Sequence, residues 1–148
     1  MQNYKHPIPI KELIPDRQLL LVSPKRRGGL ILYKRYHNEF AGPGAAVGEP
    51  FDSDCQRVLP VGNLELLHPE SDKKRQEAYL IRRQWINLTQ KIIDNPDPLQ
   101  RAQKILEQFE GFFNTETVIQ IPDEALALLV GVFPHTIRLW REGLGKSA

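Results

Sequence analysis

The strongest constraint in this sequence is a change of rhythm at Ser71. Before it, apolar residues come in short runs, Leu19 to Val22, Leu30 to Tyr33, Val58 to Val61 and Leu64 to Leu67, separated by stretches rich in Pro and Gly. Runs of that length between turn residues predict strands. After it, apolar residues recur every three or four positions, at Ala78, Ile81, Trp85, Leu88 and Ile92. That spacing lines one face of a helix. Ser71 supplies an N-cap for it, and Asp72 puts a negative charge at the positive end of the helix dipole. Asn95, Pro96, Asp97 and Pro98 then break the helix and restart another in the cap-then-proline order, with a second stripe at Leu99, Ala102, Leu106, Phe109 and Phe113. Strands followed by helices predict an α+β fold, with a β-rich, barrel-like module over residues 1–70 and a helical domain over 71–148.

At 148 residues there is room for one such domain, or for a small domain with a helical appendage. Hydrophobic residues make up 41%, enough for a core. Twenty Lys and Arg against eighteen Asp and Glu leave a net charge of +2, so any nucleic-acid contact must come from a local patch. The single cysteine, Cys55, has no partner for a disulfide or a metal knuckle, which suits a reducing cytoplasm. Neither a signal peptide nor a membrane-length apolar stretch is expected.

Within the first half, SPKRRGG at 23–29 is expected to turn a hairpin, with Gly28 and Gly29 at positive backbone angles. AGPGAAVGEP at 41–50 is expected to be a flexible loop. PDRQLLLVSPKR, GGLILYKRY and LPVGNLELL together resemble the strands of a small barrel of the Src-homology-3-like kind over residues 10–68. The other outcome for this half is a β-hairpin arm packed on the helices.

The most informative stretch is IPDEALALLVGVFPHTIRLWREGL at 121–144. Pro122, Asp123 and Glu124 suit the first turn of one helix, Gly131 a left-handed turn, and Pro134 the opening of a second helix. Ala127 allows a close crossing, and Leu126, Val130, Val132, Ile137 and Trp140 fall on the interior side. Leu126, Ala127, Gly131, Val132, Pro134, Thr136, Ile137, Arg138, Trp140, Gly143 and Leu144 resemble the helix-turn-helix of the MerR and excisionase families. That resemblance implies DNA binding by the second helix. Three departures stand against simple transfer. Phe133 replaces the usual capping Ser, Leu128 occupies a normally polar position that would need the helical hairpin or a partner to cover it, and Ala148 leaves no room for a following wing.

With Ile137 and Trp140 facing inward, His135, Thr136, Arg138 and Leu139 turn outward and Arg141 lies at the edge. The candidate DNA contacts are therefore His135, Thr136, Arg138, Arg141 and Lys146. Arg138 suits a guanine or a phosphate, and Arg141 and Lys146 suit phosphates. Lys25, Arg26, Arg27, Lys34 and Arg35, with Lys73, Lys74, Arg75, Arg82 and Arg83 on the long helix, read as a solvated face that could add phosphate contacts.

No enzyme is expected. The terminal GLGKSA lacks the glycine a phosphate loop needs at position 140, which is Trp. His6, His37, His68 and His135 show no metal-ligand spacing, and Cys55 beside Asp54 gains no thiolate stabilisation. No cofactor or metal is expected. The function expected is that of a small transcriptional regulator binding double-stranded DNA. It would act as a homodimer, because the two helical stripes exceed what one helix pair can cover. The alternative is a protein-interaction or assembly factor in which the two terminal helices only pack, and RNA binding is a third reading.

Overall fold

A computed structural model describes residues 5–143. The chain is α+β: seven strands, β1 (Ile8–Pro9), β2 (Leu19–Val22), β3 (Gly28–Tyr33), β4 (Asn38–Ala41), β5 (Ala46–Gly48), β6 (Arg57–Gly62) and β7 (Leu66–Leu67), precede five helices among the described residues. The helices are α1 (Asp72–Ile93), α2 (Pro98–Phe112), α3 (Thr115–Gln120), α4 (Asp123–Val130) and α5 (Pro134–Arg141).

The strands form two open antiparallel sheets, ordered β1-β6-β3-β4 and β5-β2-β7, and not a closed barrel. Strand β3 explains the arrangement. Side chains alternate across a strand, so Ile31 and Tyr33 enter a core shared with the helices, while Leu30 and Leu32 enter a second core against Leu20, Val22 and Val47 of the smaller sheet. All six residues of β3 are buried, which is why it reads as an unbroken apolar run.

Two local expectations are corrected. The segment at 23–29 is not a hairpin, because β2 pairs with β5 and β7 while β3 pairs with β4 and β6. Gly28 and Gly29 lie within β3, outside the positive-φ region. Glycine is required there by close approach: a Cβ at Gly28 would lie 2.4 Å from the Asn63 carbonyl, and one at Gly29 2.4 Å from the Phe40 ring. The second correction concerns residues 41–50, which are not a loop throughout. They include β5, whose three residues are buried and pair Leu20 with Val47.

Ser71 Oγ accepts a hydrogen bond from the Lys74 N–H at 3.1 Å, starting α1 as expected. Asp97 accepts from the Leu99 N–H at 3.0 Å and Pro98 opens α2. The stripe of α1 rests on β4 and β5, whereas that of α2 packs mainly on α4 and α5. Phe40 of β4 meets Trp85 of α1 edge-on at 5.4 Å, and Phe109 of α2 at 4.9 Å. Much of each apolar stripe thus has partners within the chain, while Leu88 and Leu99 stay exposed.

Arg82, expected on a solvated face, is fully buried. Its guanidinium donates to both Asp52 carboxylate oxygens at 3.0 and 2.8 Å, to Glu39 Oε1 at 2.7 Å and to the Ala46 carbonyl at 3.0 Å. Lys34 Nζ adds contacts to Asp52 at 2.9 Å and Asp54 at 3.0 Å. Burial alone would raise the Asp52 and Glu39 pKa values. The hydrogen bonds and positive charge supplied by Arg82 and Lys34, with His37 also bonded to Glu39, hold both below the usual carboxylate range. This cluster ties α1 to β4, β5 and the loop after β5.

Candidate nucleic-acid interface

Helix α4 ends at Gly131, whose φ of +69° and ψ of +43° place it in the left-handed region. The Val132 N–H bonds back to the Ala127 carbonyl at 3.1 Å, and after a turn of Gly131, Val132 and Phe133 the chain enters α5 at Pro134. Ala127 is 1% exposed, and Leu126, Val130 and Ile137 are fully buried. Val132 and Trp140 pack against the same core. The residues expected on the interior side, Leu126, Val130, Val132, Ile137 and Trp140, are found there, while Leu139, expected outward, is half-buried.

Arg101 of α2 fixes the turn from outside. Its guanidinium donates to the Val130 carbonyl at 2.9 Å, to the Gly131 carbonyl at 3.1 Å and, from its remaining nitrogen, to the Asn95 carbonyl at 2.7 Å. Two of these acceptors are orphan carbonyls at the end of α4, which no helical N–H reaches. Sequence reading did not single out Arg101, because the two turn carbonyls it holds lie 29 and 30 residues away.

The predicted contacts separate on this scaffold. His135 and Arg138 are exposed, the Arg138 side chain at 54%, and Thr136 is half-buried with its N–H bonded to the Phe133 carbonyl. Arg141 is committed elsewhere. It donates to Asp123 Oδ1 at 2.8 Å and to the Val118 carbonyl at 2.8 Å, joining α5 to α4 and α3. Lys146 and Leu144 lie outside the described residues. Asp123 also approaches Arg138, with 3.6 Å between Oδ2 and Nε, so one carboxylate faces both arginines of α5.

No protein-family model matches the chain, and no curated protein matches it.

The departures noted in the sequence have visible consequences. Phe133 provides no side-chain cap and is 80% exposed. Leu128 is 37% exposed, so the helical hairpin does not cover it. It borders a groove with Tyr33, Arg35, Tyr36 and Arg57. The segment 122–143 holds Asp123, Glu124 and Glu142 beside Arg138 and Arg141, a surface with no excess of positive charge.

Cys55 is buried, and burial followed by the charge of Asp52 pushes its thiol up to about 11. Among the described residues no three His, Cys, Asp or Glu side chains are grouped to hold a metal ion, and no helix is long and apolar enough to cross a membrane.

Proposed function

We propose that this chain binds double-stranded DNA through α5, as a small regulator acting in a reducing cytoplasm. The observation that carries the reading is the α4–Gly131–α5 geometry, in which a left-handed glycine and the Arg101 clamp hold an eight-residue helix with His135 and Arg138 on its exposed side. A helix of that length can lie in a major groove, where Arg138 would donate two hydrogen bonds to a guanine edge or to a phosphate. No side chain caps the start of α5, which leaves the positive end of its dipole open to a phosphate oxygen. In this reading Arg141 positions α5 and makes no DNA contact, while Lys146 remains a phosphate candidate. One short helix gives little affinity, so binding would use two copies, one α5 per half-site. A salt-dependent titration with duplex DNA tests this.

A second reading is favoured by Phe133 and Leu128. Both are apolar and exposed where a DNA-binding surface is usually polar, and Asp123 offsets the positive charge of Arg138 and Arg141. They suit a protein partner, which would make the molecule an assembly factor. Loss of binding to that partner on Phe133→Ser, with no DNA affinity in the parent chain, would select this alternative.

A further inference from the structure

We infer that a pocket between α2, α3 and α5 is a binding site for a small organic cation with an apolar body. The pocket has a volume of about 450 Å³, within the roughly 300–1,000 Å³ typical of small-ligand sites. Leu106, Val118, Ile119 and Trp140 give it apolar walls, and Glu107 and Glu110 of α2 stand among them. Ile119 is 68% exposed, a large aliphatic side chain left in water at the pocket edge.

Charge decides the ligand class. Glu107 and Glu110 are one helical turn apart, so they share a face of α2. The one cation among the described lining residues is Arg141, and its guanidinium is already bonded to Asp123 and to the Val118 carbonyl. The lining is therefore net negative and repels phosphates and carboxylates. An ammonium group would sit between the two glutamates, and its apolar body would cover Ile119 and Leu106.

Position gives the site a consequence. Trp140 and Arg141 lie on the helix that carries His135 and Arg138, so an occupant contacts α5 directly, beside the Arg141–Asp123 bond that holds it. A bound amine would thereby change how α5 is held, and with it any affinity for DNA. That coupling rests on the DNA-binding reading; occupancy of the pocket does not.

The test is an NMR titration of the full-length chain, without DNA, using 4-phenylbutylamine, 4-phenylbutan-1-ol and 4-phenylbutyrate as matched cationic, neutral and anionic probes. The amine should shift the Trp140 indole N–H and the Val118 and Ile119 amides saturably, leaving the Trp85 indole unmoved. It should bind about tenfold more tightly than the alcohol, and the acid more weakly than either. Glu107→Gln combined with Glu110→Gln, both surface changes, should bring the amine down to the affinity of the alcohol. Equal binding of all three probes, shifts centred elsewhere, or no saturable shift would overturn the proposal. A parent chain that fails to bind DNA yet binds the amine would leave the pocket standing and remove only the coupling.

Discussion

Arg141 on α5 and Asp123 on α4 are joined at 2.8 Å, and this bond gives the two arginines of α5 different roles. Arg141 also reaches the Val118 carbonyl, so it holds three helices together, whereas Arg138 meets Asp123 only at 3.6 Å among the described residues. Arg141→Ala should therefore destabilise the fold by about 1–3 kcal/mol, since it removes charge-assisted, partly buried hydrogen bonds. Arg138→Ala should change stability by less than about 0.5 kcal/mol. Urea unfolding of the two variants checks the contrast, and equal midpoints would contradict it.

The buried cluster around Arg82 sets the response to acid. Asp52 and Glu39 titrate lower in the folded chain than in the unfolded one, so the stability they contribute is present at neutral pH and is lost as pH falls from about 4 through their folded values. Asp52→Asn should cost about 3–5 kcal/mol at pH 7, because it leaves Arg82 buried without its main counter-charge. Should that variant fail to fold, Glu39→Gln, at a partly exposed position, should lose less stability at pH 7 and show a smaller drop between pH 7 and pH 3 than the parent. The measurement is the urea midpoint at pH 7 and pH 3; a variant as acid-sensitive as the parent would refute the assignment.

Gly131 has open space where a Cβ would go, so substitution there reports backbone strain alone. Gly131→Val should lower Tm by roughly 5 °C or more, and Gly131→Asn by less than about 3 °C, because asparagine tolerates the left-handed region far better than a β-branched residue. Equal melting temperatures for the two variants would mean that the turn is not left-handed in solution.

Cys55 should be inert. With its thiol pushed up to about 11 and its side chain buried, the thiolate is scarce at neutral pH. A disulfide reagent should label the folded chain orders of magnitude more slowly than the urea-unfolded chain. Comparable rates would contradict the burial.

The sequence showed its elements where side-chain type is decisive locally. Leu19 to Val22 is β2, Ser71 and Asp97 cap α1 and α2, and Gly131 with Pro134 bounds α4 and α5. Elements made of small or polar residues were not legible. Strand β5 is Ala-Val-Gly inside a glycine-rich stretch, and β4 is Asn-Glu-Phe-Ala; pairing with neighbours, not propensity, makes them strands. Helix α3, six residues long, is marked locally by the Asn114 side chain that accepts from the Thr117 N–H and by Glu116 in its first turn, and it has too few apolar positions to show a period. Distant pairs escaped altogether. Arg82 lies 30 positions from Asp52, Arg101 29 from Val130, and Arg141 18 from Asp123, so periodicity could place these side chains on a helix face but could not say what met them.

The central claim is that α5 is a DNA-binding helix, and the most direct measurement is the affinity of the full chain for duplex DNA as a function of salt. Parent protein should bind at low ionic strength with log K falling linearly against log salt. Arg138→Ala should either lower the slope by about one, if Arg138 meets a phosphate, or cost about 1–3 kcal/mol at a single base pair, if it meets a base. A parent chain with no salt-sensitive affinity for DNA at low ionic strength, or an Arg138→Ala variant that binds as the parent does, would contradict the claim.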